Sequence, residues 1–194
     1  QALLSVDAAT LPLAEGQTVE QLYEEVAPVI FDPKVMPKRV NQAAGEDLVL
    51  TSACNYYDGV TQQEAEAFYS ALKDPKDETP VSYGLNSRLV KENGKIREKV
   101  WKAGGLYGAA IGKIVYWLKK AEGVAENPEQ KAVIAKLIEF YETGDLKTFD
   151  DYAILWVKDL DSRIDFVNGF TESYGDPLGM KASWESLVNF TDLE

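Results

Sequence analysis

Histidine is absent from this chain, and cysteine occurs once, at Cys54. A lone cysteine excludes an internal disulfide and fits a reducing compartment, so the expected location is cytoplasmic. With no imidazole to take its proton, Cys54 is expected to be a small buried residue rather than a nucleophile. The same two shortages leave no zinc-ligand set, so no cofactor is expected on this chain. Cations are scarce as well: 20 Lys and Arg stand against 32 Asp and Glu, for a net charge of −12. Long-range repulsion then opposes nucleic acid and anionic membranes, while a cationic or N-terminally charged ligand is favoured. Long apolar runs are missing. The longest, Leu106 to Leu118, is interrupted by Gly108, Gly112 and Lys113 and is too short to span a bilayer. No charged-then-apolar leader opens the chain, and Gln1 in place of Met points to a trimmed N-terminus. Repeats, low-complexity tracts and composition shifts are lacking too. The 194 residues, 45% hydrophobic, therefore read as one piece able to fill one core, or a large part of a bigger one.

What is present reads as α+β, predominantly α-helical. Gln1 to Gly16 is weakly patterned and reads as an entering linker. Thr18 and Gln21 form a capping box, and Val19, Leu22, Tyr23, Val26 and Ile30 make the apolar stripe of the helix they open. Pro33 and Pro37 end it. Leu48 to Leu50 is a short strand or a loop anchor. Tyr56 to Gly59 is a turn leading to a second capping box, Thr61 and Glu64, before a helix that buries Ala65, Phe68, Tyr69 and Leu72. Asn93-Gly94 sits between two extended runs and predicts a β-hairpin near 87–101, because both residues tolerate positive φ. The longest helix is expected over 106–121, with Tyr107, Ile111, Ile114 and Leu118 as its core stripe. Gly104, Gly108 and Gly112, four apart, predict a groove for close packing or for backbone approach to a ligand. Asn127-Pro128 opens the next helix, which buries Val133, Ile134, Leu137, Ile138 and Tyr141 and stops at Gly144. A last helix over 145–159 shows Phe149, Tyr152, Ala153 and Trp156 on one face.

The C-terminal stretch 163–190 predicts a second β-hairpin. Ile164, Phe166, Asn168 and Phe170 fall on one side at period two, as do Trp184, Ser186, Val188 and Phe190. Between them Asp176-Pro177-Leu178-Gly179 carries a type I turn signature. One face should be buried and one open. The loop exceeds two residues, so its register is not set by the turn alone.

Three segments of the chain resemble the dipeptidyl peptidase III family. They are Tyr56-Tyr57-Asp58-Gly59-Val60-Thr61, the run from Tyr83 to Glu92, and the run from Asn168 to Gly179. Their shared order carries the resemblance, which covers roughly the last three quarters of the chain. It implies kinship with zinc exopeptidases that remove dipeptides from peptide N-termini. The family's zinc site resembles His-Glu-x-x-Gly-His, with a further Glu, and no such sequence occurs here. The resemblance therefore implies that 1–194 is a single fragment of the non-zinc, substrate-binding lobe of a two-lobed peptidase. Zinc would belong to the parent enzyme, and the partners would be the remaining lobe and a peptide substrate. Alone, the chain is not expected to hydrolyse peptides by that mechanism.

Most acids, including Glu24-Glu25, Glu46-Asp47, Asp150-Asp151 and the pair Asp159 and Asp161, read as solvated or capping groups. Sequence neighbours on a helix do not face each other. A calcium site over 159–165 would lack the glycine and spaced oxygens of a calcium loop. Asp165 differs. The resemblance places it where the family carries an acidic anchor for the substrate's N-terminal ammonium, often Glu, with Val167 standing where a Tyr is common. A fixed carboxylate can make a charge-assisted bond to that ammonium. Asn168 interrupts an apolar strand face and requires partners, either a peptide backbone or the protein's own polar groups. Tyr174 and Trp184 read as core. The rival reading is a non-catalytic helical binding or interaction module, which would need its aromatics exposed.

Overall fold

The computed structural model describes residues 3–32, 34–35 and 37–192. Gln1 and Pro33, which carried the expectations of a trimmed start and of a helix stop, lie outside the described residues. Side-chain caps set four of the five helix starts. Thr18 opens α1 (Val19–Phe31) and Thr61 opens α2 (Gln62–Leu72), each through the full reciprocal capping box. Asn127 accepts from the Gln130 N–H to open α4 (Pro128–Thr143), and Asp145 accepts from Thr148 N–H to open α5 (Leu146–Lys158). These bonds satisfy amides that have no intrahelical acceptor. α3 (Gly108–Glu122) has no such cap. Tyr107 precedes it in the left-handed region, at φ 60°.

Two small sheets complete the α+β fold. β1 (Tyr57–Asp58) runs parallel to β2 (Ser87–Glu92), which pairs antiparallel with β3 (Lys95–Val100). The β2–β3 turn is Asn93-Gly94, at φ 51° and 75°, as that dipeptide predicts. β4 (Ile164–Glu172) pairs antiparallel with β5 (Ser183–Phe190) in the C-terminal hairpin. Its register sets Ile164 opposite Phe190, Phe166 opposite Val188, Asn168 opposite Ser186 and Phe170 opposite Trp184.

α4 lies at the centre. Val133, Ile134, Leu137, Ile138 and Tyr141 are buried as their spacing predicts, together with Phe140 and Gln130. Gly144 ends the helix at φ 72°. Phe170 joins the hairpin to this core. Its ring lies 5.1 Å from that of Trp101 and 6.2 Å from those of Phe140 and Tyr141. The start of β4 is tied to α4 by Glu126, whose carboxylate accepts from the Ile164 N–H at 2.8 Å. That bond holds the Glu126 carboxyl below the usual range.

Several expectations change. The apolar stripe of α1 is only half-buried, because among the described residues the element packed closely on it is a single 3-10 turn, Leu3–Ser5; Ile30 and Phe31 are exposed. The segment 48–50 forms a turn rather than a strand. Asp47 caps it by accepting from the Val49 and Leu50 N–H groups, and Val49 anchors it in the core. Tyr57–Asp58, expected within a turn, is a short strand held by β2. On α3 the buried positions are Ile111 and Val115, while Tyr107 is exposed, its left-handed backbone turning it out of the helix stripe. Of the three glycines expected to form a groove only Gly108 is closely approached, a Cβ there lying 3.5 Å from the Lys102 carbonyl, whereas a side chain at Gly104 or Gly112 would meet no described neighbouring atom within 4 Å. Tyr174, expected in the core, is 73% exposed, and Trp184 is 43% exposed. The hairpin's inner face buries Phe170 and half-buries Phe166 and Asn168 but leaves Ile164 and Phe190 exposed, although Gln130 of α4 donates to the Ile164 carbonyl at 2.9 Å.

Candidate functional site

α5 runs along β4, and one helical stripe reads the strand. Phe149 lies against Gly169, where a Cβ would come within 2.9 Å of the ring. Tyr152 meets the Asn168 backbone N–H; burial pushes its phenol up to about 12, and the nearby Asp165 charge adds to that rise. One helical turn further on, Trp156 Nε1–H donates to Asp165 Oδ1 at 2.9 Å. The Phe166 N–H also donates to that oxygen, at 2.8 Å. Asp165 Oδ2 accepts no hydrogen bond from any described residue, and Asp165 is exposed. The side chain is thus oriented through one oxygen while the other faces water. Such a carboxylate can pair with a ligand cation without first breaking an internal ion pair. Its strand neighbours on that face, Val167 and Leu187, are paired across the hairpin, and Leu187 is exposed.

Asn168 lies on the opposite face, because successive strand residues alternate. Its Oδ1 accepts from Tyr141 Oη–H at 2.6 Å, and its Nδ2–H donates to Ser186 Oγ at 3.1 Å. Trp184 Nε1–H in turn donates to Tyr141 Oη at 2.7 Å. This relay ties β4, β5 and α4 together. The fold therefore separates Asp165 and Asn168 onto two sides of one hairpin.

The residues that join the three motif segments are ones that sequence reasoning passed over. Asp176, buried in the hairpin loop, accepts through Oδ2 from Tyr57 Oη–H at 2.9 Å and from the Met180 and Lys181 N–H groups at 2.8 Å. Lys181 is 0% exposed. Its Nζ donates to Tyr69 Oη at 2.5 Å, to Ser87 O at 3.0 Å and to Ser87 Oγ at 3.2 Å. It also lies 4.8 Å from the Tyr69 ring centroid. Glu98 closes the cluster by accepting from Tyr69 Oη at 2.9 Å and Ser87 Oγ at 2.5 Å. Desolvation pushes the Lys181 ammonium down to about 8, against the pull of the Glu98 and Asp176 charges. The Asp-Pro-Leu-Gly turn was a signal for Asp176; a lysine in an ordinary loop gave none.

Cys54 is half-buried, and desolvation raises its thiol pKa, which removes thiolate character. Among the described residues no group of three His, Cys, Asp or Glu is placed to hold a metal ion. With no histidine and one thiol, the donor set does not fit zinc.

Residues 47–194 match the family model of Peptidase family M49. Dipeptidyl peptidase 3 of Dictyostelium discoideum is 31% identical over 90 residues, which is 46% of this chain and 13% of that protein. The Homo sapiens protein of the same name is 31% identical over 84 residues, 43% of this chain and 11% of that protein. The structure of DPP III from Caldithrix abyssi superimposes with a TM-score of 0.58 at 22% identity, covering 93% of this chain and 33% of that one. That of dipeptidyl-peptidase III from Corallococcus sp. strain EGB gives 0.57 at 20% identity, covering 92% and 32%. At those identities the structural likeness is one of fold, and the chain spans a third or less of the proteins it matches. With the family match extending over most of its length, the chain belongs to peptidase family M49.

Proposed function

We propose that this chain forms one wall of the substrate cleft of a longer, dipeptidyl-peptidase-III-like metallopeptidase that removes dipeptides from peptide N-termini. It belongs to the non-zinc lobe, and the remaining lobe supplies the zinc and its ligands. The observation that carries this reading is Asp165: exposed, held through Oδ1 by Trp156, and free at Oδ2 to take the substrate's α-ammonium. Asn168 supports it from behind by locking the strand to β5 and α4. Family membership and the net charge of −12 agree with a cationic N-terminus as ligand. No helix among the described residues is long and apolar enough to cross a membrane. A cytoplasmic setting belongs to the same proposal and rests on the single thiol.

The test is Asp165→Asn in the full-length enzyme. One charge-assisted hydrogen bond is worth about 1.5–3 kcal/mol, so kcat/KM on peptides with a free N-terminus should fall roughly 10- to 150-fold. Zinc content should hold, and peptides with a blocked N-terminus should react at the wild-type rate. Equal losses on free and blocked peptides would remove Asp165 from the site. The interaction-module reading retains one observation, the exposed pair Tyr116 and Trp117 on α3, whose rings meet edge to face at 5.2 Å.

A further inference from the structure

A second concave surface lies on the side of the hairpin away from Asp165. It is a cleft of about 610 Å³ between the first turns of α3, the end of β3 and the turn end of the hairpin, within the range of small-ligand sites. Its walls are aromatic. Trp101 stands in the middle, with Tyr56 at 5.9 Å, Tyr107 at 6.2 Å and Phe170 at 5.1 Å between ring centroids. Trp184, paired with Phe170 across the hairpin, closes one side.

The charge of the lining sets this cleft apart. In a chain with net charge −12, its only charged lining residues are Arg39 and Lys113, and no carboxylate lines it among the described residues. Neither cation forms an ion pair with a described residue. The N-terminus of α3 opens beside them with no side-chain cap and no acid in its first turn, so its positive end is not neutralised locally. Trp101 Nε1, buried within this aromatic group, has no hydrogen-bond partner among the described residues. At the rim, Asn55 is exposed, with one long contact of 3.5 Å to Tyr107 Oη, and Ser183, whose hydroxyl donates to the Glu172 carbonyl at 3.3 Å, presents an oxygen that can accept. Two unpaired cations call for an anion, the rings for an apolar body, and the amide and hydroxyl for a peptide group.

We propose that this cleft binds the carboxyl-terminal end of a peptide whose last side chain is apolar, aromatic for preference. The carboxylate lies between Arg39 and Lys113 and the side chain enters among Tyr56, Trp101 and Trp184. The last peptide bond meets Asn55 and Ser183. This site is separate from Asp165 and does not depend on the peptidase reading.

Calorimetric titration of the intact chain with N-acetyl-Ala-Ala-Phe, its C-terminal amide, and N-acetyl-Ala-Ala-Gly tests it. The free acid should bind, and the amide should bind about tenfold more weakly or worse. The glycine peptide, lacking the side chain, should lose a comparable factor. Arg39→Gln and Lys113→Gln, both at exposed positions where folding should be unaffected, should each weaken the free acid about tenfold. Added salt should weaken it too, because the cations are exposed. Equal binding of acid and amide, equal binding of the Phe and Gly peptides, or unchanged affinity in both variants overturns the proposal. So does an absence of binding. If N-acetyl-Phe binds as tightly as the tripeptide, the cleft takes a small apolar carboxylate and the peptide assignment fails. Self-association that Ala110→Trp abolishes would make it a contact between copies, and the proposal would fall.

Discussion

Tyr57 Oη donates a 2.9 Å hydrogen bond to Asp176, a residue 119 positions later in the chain. That bond joins the short parallel strand β1 to the loop of the C-terminal hairpin. Five residues beyond Asp176, Lys181 reaches Ser87 and the Gly84 carbonyl in the segment that leads into β2. The three segments that resemble one family are therefore a single structural junction. Their common feature is packing, and the exposed Asp165 lies beside the junction rather than in it.

Replacing Asp176 with Ala should destabilise the fold by about 3 kcal/mol, since a buried phenol and two buried or part-buried amides lose their acceptor together. Urea unfolding should show a lower midpoint at an unchanged slope. A loss below about 1 kcal/mol would mean that the loop satisfies those donors in another way.

Stability should rise with pH between about 8 and 10. Lys181 in the folded chain releases its proton near 8, below the ordinary lysine value. Across that window the unfolded chain binds more protons, so raising the pH favours the folded state. The gain can reach about 3 kcal/mol, and below pH 8 the full cost of the buried charge remains. Above pH 10 the sign reverses. Burial raises the phenols of Tyr57, Tyr69 and Tyr141, so the unfolded chain ionises first. Lys181→Met should abolish the rising limb and retain the falling one in a series of urea titrations against pH.

Two glycines with positive φ should behave differently. A Cβ at Gly84, φ 91°, would lie 2.8–2.9 Å from the buried Tyr69 ring, whereas at Gly94, φ 75°, it would meet nothing within 4 Å. Gly94→Ala should cost only backbone strain, about 1 kcal/mol. Gly84→Ala adds overpacking of a side chain that cannot retreat, for about 3 kcal/mol in total. Thermal melts of the pair separate the two causes.

Asn168→Leu should cost about 1–3 kcal/mol, because buried Tyr141 loses its acceptor while the branched heavy-atom shape is kept. In the full-length enzyme its effect on KM for peptides with a free N-terminus should be small beside that of Asp165→Asn. A larger effect than that of Asp165→Asn would move peptide recognition to the other face of the hairpin.

Local chemistry by itself determined the four capped helix starts, the Asn93-Gly94 turn, the buried face of α4 and the pairing period of the C-terminal hairpin. Each depends on residues within a few positions of one another: a cap and the amide three residues on, two residues that accept positive φ, or apolar side chains at helical or strand spacing. The absence of histidine likewise removes the zinc ligands however the chain folds. The tertiary structure alone decided which apolar stripes find cover. α1 and α4 both carry amphipathic patterns, yet only the stripe of α4 is fully buried, between two long helices, while that of α1 meets one 3-10 turn. It also decided that Asp165 and Asn168, three residues apart, face opposite ways. Lys181 owes its burial to acceptors brought from 94 and 112 positions away, a distance that no periodicity encodes. The cleft lined by Arg39 and Lys113 has the same origin, because it draws its walls from segments far apart in the chain, the two cations and the C-terminal hairpin among them.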